Sequence, residues 1–328
     1  MIVPGIIIQN YNMDAPYLRK VAERVKDNVS KFCGDHGFAF VGRMKTEESL
    51  AEKIETGRYV SWSQMDDLYA CAIVIPTLRE EAKVLEHLKT IYHQTELRAR
   101  GTSQKDPTVF RFDSTRFIGK LNIDEDIAED SPLRKIQFEV QIRTAFEHAW
   151  CVTTHALTYK ADKIDWRRLR LTAQLKAAVE QLDSLVLGFD GVAATLSEHN
   201  WPEVAAMKQI EVTFRNLIRD NLLPPEILPG SWARFCENLL SVFLGTSAEP
   251  KHKAQSIARK NLKLIDATIR SKTEKYPLSL TLIQYCIGIL LENGAILGQI
   301  NRYTPMVTLE MVDLYPKSDL LGAGFKFD

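Results

Sequence analysis

Two carboxylates in the first half of the chain lie where carboxylates can hold a metal ion. Asp67 directly precedes the apolar run LYACAIVIP, and Glu139 lies inside a second β-type run, KIQFEVQI. Carboxylates on neighbouring strands of one sheet can bind Mg²⁺ between them, and the ion can also bridge the phosphates of a nucleotide. The residues alone favour a plainer interpretation, in which Asp67 caps a turn and Glu139 pairs with Arg143 on one strand face.

A set of cations precedes the first carboxylate. Arg43 and Lys45 lie at the end of a short β-type run, and Ser49 and Lys53 lie in the helical pattern that follows it. A helix N-terminus offers free N–H groups and a partial positive charge, and flanking cations add charge-assisted contacts, so the arrangement suits a polyphosphate. Taken alone, such cations are more often solvated surface charges.

Three segments, taken in their order along the chain, resemble the RelA/SpoT family. The segment GRMKTEESLAEK is similar to the family's R-x-K-x-x-x-S-x-x-x-K phosphate-binding segment, and DDLYACAIVI is similar to its D-x-x-G-x-R-x-x strand. The segment FEVQIRTAFEHAWCVTTHALTYK is similar to its E-x-Q-I-R-T…H-A-W…H…Y-K signature. The residues shared with that signature are Glu139, Gln141, Arg143, Thr144, His148, Trp150, His155, Tyr159 and Lys160.

The resemblance implies a pyrophosphokinase that transfers the β,γ-pyrophosphate of ATP to a ribose 3′-hydroxyl, usually that of GDP or GTP. It implies that Asp67 and Glu139 are catalytic and bind Mg²⁺, and that Glu139 also accepts the proton of the hydroxyl. The residues implied in binding the ATP phosphates are Arg43, Lys45, Ser49 and Lys53. Those implied on the acceptor side are Phe112, Ser114, Arg116, Gln141, Arg143 and His148.

The base-recognition positions depart from the family pattern. Ala70 and Ala72 stand where the family has a Gly and an adenine-stacking Arg, so a cation–π contact is missing from the donor site. In RFDSTR, Phe112 and Arg116 replace the Tyr and the His of the family's G-Y-x-S-x-H segment, while Ser114 is kept. Phe can stack on a base without donating a hydrogen bond, and Arg116 suits a more highly phosphorylated or polymeric acceptor. Free divergence of the strand, or a slip of a residue or two in the alignment, explains the same residues equally well.

The elements that must position these residues are a mixture of strands and helices. Apolar spacing over 18–32 predicts a leading helix, Thr46 and Gly57 suit the start and stop of a second, and LREEAKVLEHLKTIYH predicts a third. The β-type runs are FAFVGRMK, LYACAIVIP, RFDSTRFIGKLNI and KIQFEVQI, and the second is expected to be a central strand. The pattern predicts an α/β (α+β) domain over 1–160, with its core at 38–160 and a mixed sheet of about five strands flanked by helices. The resemblance implies that this sheet is nucleotidyltransferase-like.

Residues 161–328 are predicted to form an all-helical region, with a possible interaction or regulatory role. Apolar positions at helical spacing mark one long helix at Leu171, Leu175, Val179, Leu182 and Val186. The apolar run 278–300 is interrupted by polar residues, so it is interpreted as a buried helix rather than a membrane span. The last residues, from Thr308, have no clear period and are expected to be a short strand or an irregular tail.

The charge balance and the cysteine content limit which partners and which compartment the sequence favours. Lys plus Arg and Asp plus Glu both total 42, so the whole chain has no net charge to attract nucleic acid or a membrane. Between Lys251 and Lys275, however, eight Lys or Arg face two acidic residues, which suits either RNA phosphate or a solvated outer helix face. The five scattered cysteines and the absence of a basic leader favour the cytoplasm.

Three functions are therefore open. The first is a small alarmone synthetase that makes (p)ppGpp or a close relative from ATP and a guanosine nucleotide. The second is a toxin of the same fold that pyrophosphorylates the 3′ end of tRNA, in phage defence or in a toxin–antitoxin system. The third is a degenerate nucleotide-binding regulator. The helical region could bind a neutralising antitoxin, a second copy of the chain or a nucleic acid.

Overall fold

The computed structural model describes residues 2–101, 109–110, 113–122, 131–154, 157, 165–197, 201–245, 251–272, 276–322 and 324–325. The chain divides into two compact units, Met1–Leu196 and Ser197–Asp328. The predicted boundary after residue 160 is therefore too early. The helix Trp166–Leu187 belongs to the first unit because Lys176 donates to Glu147 at 3.0 Å and Thr144 donates to Asp183 at 2.9 Å.

A five-stranded mixed sheet forms the centre of the first unit, as predicted. Its strands are β1 Ala39–Met44, β2 Tyr69–Ile75, β3 Tyr92–Arg98, β4 Thr115–Leu121 and β5 Phe138–Thr144, in the order β1-β2-β5-β4-β3. The strands β2 and β5 are parallel, and the other pairs are antiparallel. The strand β2 has a partner on each side, which confirms that it is central.

The helices of this unit are α1 Gly5–His36, α2 Glu47–Glu55, α3 Glu81–Ile91, α4 Ala145–Thr154, α5 Trp166–Leu187 and α6 Phe189–Thr195. Side chains alternate between the two faces of a strand, so Cys71 and Ile73 of β2 and Val140 of β5 point to one face. That face joins the core with Val21 and Val25 of α1. The opposite face of the same strands carries the polar residues.

The structure differs from three of the predictions about the elements of this unit. The leading helix starts at Gly5, well before residue 18, and its buried stripe extends back to Ile7. The helix predicted over 78–93 ends at Ile91, and residues 92–98 form the edge strand β3, whose mostly exposed side chains give no apolar alternation. On α5 the predicted helix is present, but Leu171 and Leu175 are exposed. The buried positions of α5 are Lys176, Val179 and Asp183.

The second unit is helical throughout its described residues, as predicted. Its helices are α7 Pro202–Arg219, α8 Trp232–Gly245, α9 Ala254–Ser271, α10 Leu282–Glu292 and α11 Leu309–Leu314. The buried helix expected over 278–300 is confirmed, although α10 covers only its middle. The expected strand or irregular tail was wrong, because Thr308 caps the short helix α11, which is too brief to show a period. Across the described residues, no helix combines the length and apolar character that a membrane span requires.

Candidate active site

Asp67 lies at the junction of β1, α2 and β2, where two lysines share one of its oxygens. The Lys45 backbone N–H donates to the Leu68 carbonyl at 2.9 Å, which holds the end of β1 beside the start of β2. Lys45 Nζ is 2.5 Å and Lys53 Nζ 2.6 Å from Asp67 Oδ2. The sequence therefore brings these three predicted residues together.

The helix α2 fixes Lys53 in this group. Thr46 caps α2 by accepting a hydrogen bond from the Ser49 backbone N–H at 3.3 Å, as its position predicted. That contact satisfies one of the free N–H groups of the first turn. Lys53 lies in the last turn of α2, and its ammonium is 4.6 Å from the centre of the Tyr59 ring.

The charges in this group are mutually dependent. Burial by itself would raise the pKa of Asp67, but the hydrogen bonds from Lys45 and Lys53 outweigh it and hold that pKa below its ordinary value. Burial opposes the charge of Lys53 too, yet its contacts with Asp67 and Tyr59 raise its pKa to about 12. The pKa of Lys45 is lowered, because burial exceeds the help from Asp67 and Lys53 repels it. Asp67 Oδ1 is buried and accepts no hydrogen bond within the described part of the chain.

Asp66 anchors the same group, a role that the sequence did not reveal. Its buried carboxylate is 3.3 Å from Lys53 Nζ and 2.8 Å from the Arg98 guanidinium. Arg98 lies on β3, the strand that lacked a sequence signal. Its contacts with Asp66 and Glu96 raise its pKa further, so it is a permanent cation at this edge of the sheet.

Glu139 lies on the polar face of the sheet, in one row with residues of two other strands. It is opposite Ala70 of β2, and Ala70 is opposite Arg43 of β1. The Glu139 carboxylate is buried, accepts a hydrogen bond from Gln141 and is 4.0 Å from the Arg116 guanidinium. Arg143 Nε donates to the Gln141 side chain at 3.0 Å, so a polar chain runs along β5.

A cavity of about 850 Å³ lies over this polar face. Its lining contains five of the predicted site residues, namely Arg43, Arg116, Gln141, Arg143 and His148. The remaining lining residues are Val41, Arg58, Ala70, Cys71, Ala72, Trp150, Cys151, Val152 and Thr154. This volume falls in the range of small-molecule and nucleotide sites.

The floor of the cavity is apolar and its rim is basic. Ala70 and Ala72 project from β2 towards it, with Val41 opposite Ala72 on the edge strand. Arg43 and Arg58 are exposed, and within the described residues their side chains form no ion pair or hydrogen bond. Arg58 had no sequence signal, since it follows Gly57 in a polar loop.

A match to a known family spans this whole site. Residues 42–164 match the model of the region found in RelA and SpoT proteins. The chain therefore contains a RelA/SpoT-type region over these residues. The match includes all the predicted site residues.

The chain is similar to several solved structures at low sequence identity. Small alarmone synthetase 1 from Bacillus subtilis is 18% identical with a TM-score of 0.46, over 57% of this chain and 99% of that one. A GTP pyrophosphokinase family protein from Streptococcus pneumoniae is 18% identical with a TM-score of 0.43, over 58% and 98% of the two chains. No curated protein matches the sequence.

Two of the remaining predicted residues of the RelA/SpoT region carry buried polar atoms, and others lie outside the described residues. Burial, together with the nearby Arg143, lowers the pKa of His148, and its Nδ1 has no hydrogen-bond partner in the described part of the chain. Ser114 is buried directly before β4, with its hydroxyl likewise unpartnered there. The predictions for Phe112, and for the shared residues His155, Tyr159 and Lys160, lie outside the described residues.

A buried ionic cluster supports the cavity wall from behind. Glu147 of α4 is fully buried and contacts both the Arg100 guanidinium and the Lys176 ammonium. Arg100 also binds Glu81 of α3 at 3.2 Å. Because His148 follows Glu147 directly, this cluster fixes the turn of α4 that lines the cavity. The α5 residue Lys176 thus belongs to the support of the RelA/SpoT region.

The chemistry of the site is compatible with a magnesium ion. In the described part of the chain, no group of three or more His, Cys, Asp or Glu side chains is arranged to hold a metal. Asp67 Oδ1 is nevertheless a buried oxygen without a donor, and Glu139 supplies a second carboxylate one strand away. Mg²⁺ commonly takes one or two protein carboxylates and completes its shell with water and phosphate oxygens. The two carboxylates fit that pattern.

Proposed function

We propose that the chain transfers the β,γ-pyrophosphate of ATP to the ribose 3′-hydroxyl of a guanosine nucleotide and so synthesises (p)ppGpp or a close relative. The observation that carries the proposal is the shared polar face of the sheet. Asp67 with its two lysines lies at one side, Glu139 lies on the next strand, and the basic cavity lies over both β2 and β5. Donor phosphates and an acceptor hydroxyl can therefore approach the same face.

The reaction needs a base, cations and a fixed geometry. The acceptor O3′ attacks the β-phosphorus of ATP, the bond from that phosphorus to the α,β-bridging oxygen breaks, and AMP leaves. Glu139 would take the proton of the hydroxyl, and its contact with Gln141 holds the carboxylate in one orientation. Arg43, Lys45 and Lys53 would hold the phosphates in line for attack. When bound at Asp67 and Glu139, Mg²⁺ would neutralise charge on the phosphates.

A second acceptor, the 3′ end of tRNA, is supported by one specific observation. Arg116 lines the cavity and is opposite Arg98 across the β3–β4 pair, so two arginines lie side by side near the acceptor positions. Such a pair suits an acceptor that brings several phosphates. The biological role would then be that of a toxin in phage defence or in a toxin–antitoxin system. Either reaction would take place in the cytoplasm.

A labelled-donor assay separates the acceptors. Purified protein with γ-labelled ATP and Mg²⁺ is incubated with GDP, GTP, ATP or bulk tRNA, and products are separated by size and charge. Label on GDP or GTP supports the first proposal, and label on tRNA alone overturns it in favour of the second. If no acceptor is labelled, the chain is a degenerate nucleotide-binding regulator.

The carboxylate variants supply the matched control. We expect Glu139→Gln to lower transfer by about 10²- to 10⁴-fold, the usual contribution of a general base, and Asp67→Asn to abolish it. Glu139→Gln is nearly isosteric, so its thermal unfolding temperature should move little. Asp67→Asn also removes the counter-charge of Lys45 and Lys53, so it should lower that temperature as well. Full activity in Glu139→Gln would refute its role as the base.

A further inference from the structure

A groove in the second unit lies between α7 and α9 and shares no lining residue with the cavity of the proposed reaction. It has a volume of about 550 Å³ and belongs wholly to Ser197–Asp328. The lining residues from α7 are Lys208, Gln209, Val212, Thr213 and Asn216, and those from α9 are Arg259, Leu262, Lys263, Asp266 and Arg270. Both sets follow helical spacing, so each helix turns one continuous stripe towards the groove.

The groove carries more positive than negative charge. Four cations and one carboxylate line it, and that carboxylate, Asp266, already binds Arg270 at 3.1 Å. Arg259 and Lys263 are exposed one helical turn apart and form no ion pair within the described residues. Like charges at this spacing repel each other and destabilise a helix. An anion between them would relieve that repulsion.

A hydrogen-bond acceptor in the same groove also lacks a donor. Gln209 Oε1 is buried and has no partner in the described part of the chain. Leaving a buried acceptor unsatisfied is costly, and a rotation of the Gln209 side chain would turn this oxygen towards a groove ligand that donates a hydrogen bond. Phosphate oxygens cannot donate at neutral pH, whereas a sugar hydroxyl can. The groove therefore favours a ligand with both a phosphate and a hydroxyl.

We propose that this groove binds the ribose-phosphate backbone of single-stranded RNA. The lining residues include no aromatic side chain on which a base could stack, so recognition would be independent of sequence. From Arg259 to Arg270 the stripe extends for about 16 Å at the rise of an α-helix, which suits a chain better than one nucleotide. The 2′-hydroxyl would donate to Gln209, and it is the group that distinguishes RNA from DNA.

The test compares two oligonucleotides that differ only at the 2′ position. Fluorescence anisotropy is measured with labelled oligo(U) and oligo(dU) of about 12 nucleotides, over a range of salt concentrations. The full-length Glu139→Gln protein is used without ATP, so the result does not depend on any transfer reaction. We expect oligo(U) to bind more tightly, and Gln209→Leu to bring its affinity down to that of oligo(dU).

Charge reversals locate the binding to the groove. Arg259→Glu and Lys263→Glu should each weaken oligo(U) binding about tenfold or more, and should reduce the log–log salt slope by at least ~0.7 for each phosphate that the variant no longer neutralises. Lys260→Glu is the matched control, because Lys260 is exposed on α9 but does not line the groove. Circular dichroism establishes that each variant is folded.

Three results would overturn the proposal. Equal weakening by Lys260→Glu would mean that only net charge matters. Equal affinity for oligo(U) and oligo(dU), unchanged in Gln209→Leu, would remove the ribose contact. Displacement of bound oligo(U) by equimolar ATP, abolished in Lys263→Glu, would mean that the groove is a mononucleotide site.

Discussion

In the proposed reaction, Ala72 would determine how firmly the donor base is held. Its methyl group faces the cavity from the central strand β2, beside Val41 and close to the row that contains Glu139 and Arg43. A base resting there meets an apolar floor, and the exposed Arg43 and Arg58 lie at the rim. In the proposed reaction, donor binding would therefore depend on the exposed rim arginines instead of a stacking group on the sheet.

Restoring a cation at this position should tighten donor binding. We expect Ala72→Arg to lower the KM for ATP by about two- to fivefold, which is the effect of a cation–π contact of roughly 0.5–1 kcal/mol. Steady-state kinetics with varied ATP measures the change. Ala72→Met introduces a long side chain without a charge. An equal decrease in the KM for ATP in that variant would mean that apolar packing, and not the cation, causes the effect.

His148 should make the first unit sensitive to mild acid. Burial and Arg143 hold its folded-state pKa below the ordinary 6.5, so the unfolded chain binds the proton first as the pH falls. Stability that is present above pH 6.5 is then reduced on acidification. We expect Tm to fall less in His148→Asn than in the parent between about pH 7.5 and pH 5.5.

Other groups must be separated in that experiment. The pKa of His87 is also lowered by burial and by His36, so His87→Gln is the parallel variant. Asp67, whose pKa is depressed, loses its contribution only at more acidic pH and does not interfere. An identical pH dependence in His148→Asn and the parent would contradict the expectation.

The residue types of the site could be predicted, but not the contacts between them. Asp67 directly precedes one apolar run and Glu139 lies inside another, so the sequence associates them with two strands, which are neighbours in the sheet. The two lysines on Asp67 and the anchoring by Asp66 depend on tertiary distances. Arg98 was missed because its strand has no apolar alternation, and Arg58 because it lies in a loop.

At the scale of elements, α5 shows how a correct helix can have an unexpected inner face. Its leucines at helical spacing predicted the helix, yet Lys176 and Asp183 are buried where an apolar residue was expected. They are buried because Glu147 and Thr144 offer them partners. Hydropathy cannot reveal such a face, since each charge becomes tolerable only beside its partner.

Breaking this cluster should destabilise the first unit. We expect Glu147→Gln to cost about 3 kcal/mol or more, because it leaves the buried Lys176 ammonium without its buried counter-charge. Urea unfolding followed by tryptophan fluorescence measures the destabilisation, since Trp150 Nε1 donates to the Thr172 carbonyl of α5 at 3.1 Å. Glu180→Gln, which removes the exposed partner of Lys176, should cost about 0–1 kcal/mol. An equal loss of unfolding free energy in Glu147→Gln and Glu180→Gln would show that the buried ion pair stabilises the unit no more than the exposed one.

At the scale of the whole molecule, each unit has its own hydrophobic core. The first core joins the sheet to α1 and α3, and the second joins α7 to α10 around Phe214, Phe243 and Ile265. The change from mixed to purely helical structure was predictable from the sequence. The position of the boundary could not be predicted. A helix that packs on the sheet unit has the same sequence periodicity as a helix of the second unit.

Truncation tests the boundary directly. We expect the fragment 1–196 to fold cooperatively and to retain transfer activity, because it keeps α5 and the Glu147 cluster. The fragment 1–160 should lose cooperative unfolding in calorimetry, since Lys176 and Asp183 are removed while Glu147 stays buried. A stable, active 1–160 fragment would place the boundary after residue 160 instead.

The sharing of Asp67 by two lysines has a thermodynamic consequence for the entry of nucleotide. In the free protein, Lys45 and Lys53 are both already paired with this carboxylate. Phosphates that draw both ammonium groups away leave a mostly buried carboxylate without its counter-ions, and it must then take up another positive charge. Nucleotide binding is therefore linked to cation uptake. ATP and a divalent cation should each strengthen the binding of the other, and neither should bind tightly alone.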